Sequence, residues 1–376
     1  MKILGRTLLV LVLVLIILGA MLVLSASSTY SEIRFNNLYF LFKSHDWKVI
    51  GAISALVIVS MIPYDFYKKY SKHLLLGMLF VLIATFLFAP KLKGAARWID
   101  LGILRFQPSE LAKLILIIHL SELMERKGEL IKDFQNGFKY AIFWVIVVSG
   151  LVLIQPNVST SMIIVLTSFT LLYVGGCRLK HLLGTTAIFS TVGISAMILF
   201  SHSRERIVGF YNSLIGSAEA NTQVLQAKIG LGSGGFLGVG LGQSRQSDLF
   251  LPESFGDFIF SVLGEELGFV GAILILSIYL SVFVVGVIIS KNAKDDFGKL
   301  LGFGISFNIV LSAFINAGVV MGLLPTTGIT LPFISFGGTS IIIFSISVGI
   351  LLNIARETII FNKNTFEKIE QSGIEV

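Results

Sequence analysis

Ten stretches of this chain are too long and too apolar to be left in water. They run about 7–26, 47–63, 73–89, 107–123, 138–155, 158–175, 181–200, 258–290, 300–321 and 337–354. A helix of about 20 residues crosses roughly 30 Å of hydrocarbon. One aqueous core could not bury ten such runs, and the composition agrees: 55% of the 376 residues are hydrophobic, 14% are charged, and mean hydropathy is +0.88. The expectation is an all-α polytopic membrane protein with about ten transmembrane helices, forming a single membrane domain over 1–376. The first run resembles a signal peptide, since Lys2 and Arg6 precede it and the tripeptide SAS follows. Its apolar core is longer than a usual signal core, so it reads as a retained helix.

An even number of crossings puts both termini on one side, and basic residues choose that side. With both termini cytoplasmic, the inner segments carry seventeen Lys and Arg and the outer segments ten. The outer segment 90–106 runs against this trend with Lys91, Lys93, Arg97 and Arg105, which suits an anion-meeting role or is chance. The net charge of +7 is spread between apolar runs, without a basic tract interleaved with aromatics, so nucleic acid is not an expected partner. One cysteine, Cys177, excludes an internal disulfide and a Cys-based zinc site. It reads as a small filler at a helix end.

The longest hydrophilic connection, about 201–256, falls outside the membrane between the seventh and eighth runs, and a short cytoplasmic tail follows at about 356–376. Loops of that length usually carry function or are disordered. This one contains GLGSGGFLGVGLG, without the Gly-Lys-Ser/Thr of a nucleotide loop. Its glycines alternate with Ile229, Leu231, Phe236, Val239 and Leu241, a pattern for backbone that hugs the membrane surface or bends into it.

The chemistry concentrates in LPESFGDFIFSVLGEELG, where Asp257, Glu265 and Glu266 stand at the start of an apolar run and inside it. Carboxylates in hydrocarbon are costly and are functional candidates. Asp257 reads either as a helix N-cap or as a general base at the outer surface. Continuing one helix back to Asp257 puts Glu265 and Glu266 about 12–13 Å further along it. The turn angle then sets Glu265 about 80° from Asp257 and Glu266 nearly opposite, so neither forms a same-face carboxylate pair with it. At least one glutamate is expected to pair with a cation on another helix. Glu110 and Lys113, three apart in RWIDLGILRFQPSELAK, either neutralise each other on one helix face or send Lys113 into a central cavity, toward Glu265 or an anionic ligand. Arg97 could dock a phosphate, and Trp98 fits an aromatic belt or an interfacial ring.

Two stretches are rich in helix breakers. IQPNVSTS breaks at Pro156, and LPTTGITLPFISFGGTS joins the ninth and tenth runs without a charge. Non-helical backbone at membrane depth needs protein or water around it, so both stretches should line a cavity. Gln155 and Asn157 from the first and Ser335 from the second join the candidate cavity residues. Broken segments also mark transporter sites.

Taken in order, GAARWIDLG with FQPSELAK, QPNVST, GSGGFLGVGLGQS, LPESFGDFIFSVLGEELG and NAGVVMGLLPTTGITLPFISFGGTS resemble the SEDS family of bacterial cell-wall synthesis (FtsW, RodA and SpoVE) over nearly the whole chain. The resemblance implies a ten-helix glycosyltransferase of the cytoplasmic (inner) membrane that polymerises lipid II outside it. It also implies a class B penicillin-binding protein as transpeptidase partner, among other membrane proteins of the division or elongation machinery. It makes Asp257 the catalytic aspartate and Arg97, Glu110, Lys113, Glu265 and Glu266 cavity residues. A divalent cation, Mg²⁺ or Mn²⁺, rests on the resemblance alone. GEELG and the SAS after the first run look more like the division branch, FtsW, than the elongation branch, RodA.

There are departures. Asn157 and Ser159 stand where the family usually has an aspartate and a glycine, and Phe255 and Gly256 where His-Thr is common. On this reading Asp257 deprotonates the acceptor sugar 4-hydroxyl, and Arg97, Lys113 and the basic outer loop stabilise the leaving diphosphate. Two rivals differ in class: a transporter flipping lipid II, in which Glu110, Lys113 and Glu265 matter more than Asp257, and a non-catalytic division scaffold.

Overall fold

The computed structural model describes residues 1–90, 97–100, 102, 105–214, 222–247, 251 and 254–371. Among these residues ten helices coincide with the ten apolar runs: α1 (Lys2–Phe35), α2 (Phe40–Met61), α3 (Asp65–Phe88), α4 (Pro108–Lys127), α5 (Lys139–Ile154), α6 (Val158–Val174), α7 (Leu179–Leu199), α10 (Ile259–Lys291), α11 (Asp296–Val320) and α12 (Gly338–Gln371). Seven spans are long and apolar enough to cross a membrane, and α6 is a shorter apolar helix. The other two, α2 and α4, are diluted by charge: α2 opens with Lys43, Asp46 and Lys48, and α4 holds Glu110, Lys113, Glu122 and Glu125.

The connection expected over 201–256 contains two further helices, α8 (Ser201–Leu214) and α9 (Thr222–Ser233). Between α3 and α4, β1 (Ile99–Asp100) pairs antiparallel with β2 (Arg105–Phe106), Ile99 opposite Phe106. At the C-terminal end α12 runs on to Gln371, where the apolar run ends near Ile354.

The termini follow local chemistry. α4 starts with Pro108 after an extended Gln107, puts Glu110 in its first turn, and ends on Arg126 and Lys127, all matched to the helix dipole. Asp295 caps α11 by accepting from Gly298 N at 2.8 Å. Inside the bundle, serines satisfy their hydroxyls on their own helix, as Ser306 does by donating to Gly302 O at 2.7 Å.

α2 packs along α12, α10 along α11, and α3 along α4, while α1 touches α2, α10 and α12. α11 and α12 are central, with 67% and 78% of their most apolar windows buried against 28% for α10. α10 and α11 approach closely at Gly286, where a Cβ would lie 2.1 Å from Ser306 Oγ. A polar clasp closes the end of the bundle where α3 and α11 begin. Lys68 meets Glu125 at 2.6 Å and Asp295 at 3.6 Å, Lys294 meets Asp65 at 2.6 Å, and Tyr64 OH donates to Asp295 at 3.0 Å. The N-termini of α4, α10 and α12 lie at the other end, and they frame the site.

Candidate active site

A polar cleft of about 100 Å³ opens at that end. Its charged and amide side chains include Arg97, Glu110, Asn157 and Arg206, and its other wall is the non-helical chain at 327–330 with the start of α12 at 337–340. Pro325 and Pro332 interrupt this connection, which is non-helical where it lines the cleft.

Arg97 is fixed by carbonyls where α5 gives way to α6. Its Nε donates to Gln155 O at 3.2 Å and its Nη2 to Pro156 O. Burial, with Arg206 close by, brings its pKa down to about 10. Arg206 comes from α8 and donates to Thr326 O at 3.2 Å. Two guanidiniums therefore share one cleft, and the N-terminus of α12 adds the positive end of a helix dipole. The field suits an anion, and a diphosphate would relieve the repulsion between the two arginines. Arg206 is the functional candidate that sequence reading missed, because it lies in a long loop. Recognising 201–214 as a helix is the one sequence signal that would have drawn attention to it.

Asp257 is half-buried at the rim. Gly328 has φ +72°, a conformation that favours glycine. A Cβ built on Gly328 would sit 3.7 Å from both Asp257 Oδ2 and Arg206 Nη2. The carboxylate and the guanidinium thus converge on one glycine of the cleft wall. The N-cap position of α10 is Phe258, so Asp257, read from sequence as either a cap or a base, stands one residue ahead of that position. Asp257 precedes the helix, and the turn angle that relates it to Glu265 and Glu266 does not apply.

Both glutamates are buried, and among the described residues neither pairs with a cation, which corrects the expectation from sequence. Glu265 accepts from Ser233 Oγ at 3.2 Å, Arg245 N at 3.1 Å, Gln246 N at 3.3 Å and Ser244 Oγ. Glu266 accepts from Gly242 N at 3.1 Å and from Ser25 Oγ on α1. All of these donors except Ser25 come from the glycine-rich segment or the residues just after it, so these carboxylates anchor that loop on α10 and Glu266 also ties it to α1. The loop completes the backbone as well. α10 is interrupted at Gly268 (φ 68°), and there Val239 N donates to Glu265 O, Gly240 N to Glu266 O and Phe269 N to Gly235 O, at 2.9–3.1 Å. The sequence signal for this was the glycine spacing itself, which lets a turn-rich backbone with left-handed glycines at 235, 238, 240 and 242 lie against a broken helix.

Lys113 meets Glu110 at 3.0 Å on its own helix, the i,i+3 pair, rather than Glu265. Of that pair Glu110 lines the cleft, while Lys113 is buried beneath it near the Phe344 ring. Asn157 caps α6, accepting from Thr160 N at 3.4 Å and donating to Ser109 Oγ at 3.3 Å. Asn157 thus supplies a side-chain cap that carries no charge. Gln155 and Ser335 do not line the cleft. Gln155 braces α3 by donating to Leu82 O at 2.9 Å, and Ser335 closes its own turn by accepting from Leu331 N at 2.7 Å. Lys91 and Lys93 lie outside the described residues. Cys177 is buried between α6 and α7, where burial pushes its thiol up to about 12. Among the described residues no group of three or more His, Cys, Asp or Glu gathers to hold a metal ion.

The chain is similar throughout to proteins of bacterial envelope growth. It is 35% identical over 340 residues to the "Probable peptidoglycan glycosyltransferase FtsW" of Geobacter sp. strain M18, covering 90% of this chain and 92% of that protein. It is 33% identical over 353 residues to the Stage V sporulation protein E of Bacillus subtilis, covering 93% and 96%. In fold it is similar to a chain of a peptidoglycan synthase complex described as coordinating polymerization and crosslinking, with TM-score 0.76, 23% identity and coverage of 93% and 97%. The rod shape determining protein RodA of Thermus thermophilus has the same fold, with TM-score 0.69, 23% identity and coverage of 93% and 96%. The profile of the Cell cycle protein family matches residues 6–359, and the chain belongs to that family, FtsW/RodA/SpoVE, on its FtsW-like side.

Proposed function

We propose that this protein is a peptidoglycan glycosyltransferase that polymerises lipid II on the outer face of the cytoplasmic membrane, in septal synthesis during cell division. The observation that carries the reading is the convergence of Asp257 and Arg206 on Gly328, at the rim of a cleft that also holds Arg97. In this reading 1–376 is one membrane domain, the ten helices that match the apolar runs cross the bilayer, and both termini are cytoplasmic. The N-terminal end of α10 then faces outward, where a membrane-anchored sugar emerges.

The reaction needs one base and one anion stabiliser. Asp257 takes the proton from the acceptor sugar 4-hydroxyl as that oxygen bonds to the donor's anomeric carbon. The bond from that carbon to the phosphate oxygen breaks, and the polyprenyl diphosphate leaves with the electron pair. Arg97 and Arg206 face the charge that develops on it. Mg²⁺ or Mn²⁺, if required, would draw its ligands chiefly from diphosphate oxygens, as Mg²⁺ commonly does, because the cleft's other carboxylate, Glu110, is engaged by Lys113. The family resemblance and the peptidoglycan synthase complex of similar fold support a class B penicillin-binding protein as partner.

The test is polymerisation of labelled lipid II by purified protein, with its cognate transpeptidase and with Mg²⁺, Mn²⁺ or EDTA. Asp257→Ala should lower the rate by about 10²-fold or more with unchanged thermal stability. Full activity in Asp257→Ala would remove the base. No strands from an intact wild-type complex, with lipid II movement across vesicles, would favour the transporter. Neither activity would favour the scaffold.

A further inference from the structure

We infer that Asn316, on α11, is a positioning residue that sets the register between Asp257 and the opposite wall of the cleft. This rests on the reading of Asp257 as the base.

Asn316 is 1% exposed, and its one amide nitrogen donates to two carbonyls, Asp257 O at 2.7 Å and Ile329 O at 2.7 Å. These two residues belong to segments far apart in sequence, one leading into α10 and the other in the connection between α11 and α12. Neither segment is helical at that point, so neither has a helix ladder to fix it. Ile329 directly follows Gly328, the glycine on which Asp257 Oδ2 and Arg206 Nη2 converge. A single side chain thus ties the backbone of the base to the stretch of wall that the base and the arginine face. A second tie supports the same turn from outside, since Phe336 N donates to Phe255 O at 2.9 Å.

The amide's orientation is fixed by its partners. Two carbonyl oxygens require the nitrogen, not the oxygen, to face them. Asn316 Oδ1 is buried and has no partner among the described residues. An unpartnered buried acceptor is unfavourable, and a leucine of similar volume would avoid it. A residue kept for packing would not carry that penalty, whereas one kept for its two donors must. The two hydrogen bonds hold main chain, so the amide acts on where the carboxylate stands and leaves the reacting atoms untouched. Placement within a fraction of an ångström governs proton transfer.

The experiment compares Asn316→Leu, which loses both donors, Asn316→Ser, which offers one O–H donor on a shorter side chain, Asn308→Leu and Asp257→Ala in the lipid II assay with the transpeptidase present. Asn308 is a second buried asparagine on α11 with an unpartnered Oδ1, two turns away, and controls for the loss of a buried amide from this helix. The expected result is a kcat about 10- to 100-fold lower in Asn316→Leu with KM for lipid II within about twofold of wild type, and partial recovery in Asn316→Ser. Asn308→Leu should keep its kcat. A merely structural role would instead lower thermal stability and the active fraction, with no kcat loss per folded molecule. Asn316→Leu that polymerises at the wild-type rate while Asp257→Ala is inactive would overturn the positioning role and leave the base intact. An equal kcat loss in Asn308→Leu would overturn it too. Activity in Asp257→Ala would instead defeat the reading of the base beneath it.

Discussion

Gly268 and Gly238 touch backbone to backbone: a Cβ on Gly268 would fall 2.3 Å from the nitrogen of Gly238. Both have positive φ, 68° and 82°, and the Cβ of Gly238 would in turn strike Glu266 O at 2.1 Å. This contact brings the glycine-rich loop close enough to take over hydrogen bonds that α10 gives up at its break.

Gly268→Ala should therefore destabilise the protein by roughly 2–4 kcal/mol, from a strained conformation together with overpacking against main chain. Thermal unfolding in detergent, followed by intrinsic fluorescence, measures it. A shift no larger than that of an alanine substituted at Gly51, where a Cβ meets nothing within 4 Å, would contradict the contact.

Glu265 gathers four donors from the outer loop, and its loss should free that loop. Arg245 is exposed on the loop while the Ser244 and Gln246 on either side are buried. In Glu265→Ala the two serine hydroxyls and two backbone N–H groups lose a charged acceptor, a loss of about 3 kcal/mol. Trypsin added to the outer face of oriented vesicles should cut after Arg245 several times faster than in wild type, scored by gel fragment. Equal cutting rates would show that the carboxylate does not anchor the loop.

Arg97 offers a pH test with a definite sign. Its pKa is lowered to about 10, so it is a cation below that value and loses charge as pH rises through it. Lysine ordinarily titrates near 10.4, already below arginine, and the same burial and neighbouring arginine would lower a lysine at this position further. Arg97→Lys should polymerise lipid II near pH 7 and fade as pH rises to about 9, while wild type holds its rate across that range. Parallel pH profiles for the two would count against a charge requirement at this position. The stability linkage runs the other way: between the lowered pKa and the ordinary one the unfolded chain binds more protons, so stability rises with pH.

The membrane-spanning architecture was readable because hydrocarbon imposes length and apolarity on each helix, and those are local properties of sequence. The candidates Arg97, Glu110, Asn157 and Asp257 were readable for a related reason, since charge and amides stand out against apolar runs. The two buried glutamates were visible, but their partners were not. Their ligands Ser25, Ser233, Ser244 and Gly242 lie from about twenty to more than two hundred residues upstream, and no period or spacing links them to α10. Lys113 was ambiguous for the opposite reason. The i,i+3 spacing to Glu110 already offered a partner, and proximity on one helix prevailed over the more distant Glu265. Gln155 and Ser335 were polar residues in cavity-lining stretches, yet backbone carbonyls and amides beside them claimed their side chains first.

The interruption at Gly268 also divides α10 mechanically. Its first turns, 259–267, take backbone and side-chain bonds from the glycine-rich loop, whereas α10 as a whole packs chiefly along α11 and α1. The short outer piece that follows Asp257 is thereby coupled to the loop like the short arm of a lever whose fulcrum is a glycine. A displacement of the loop can thus shift the short piece of α10 that follows Asp257 without bending the part beyond Gly268.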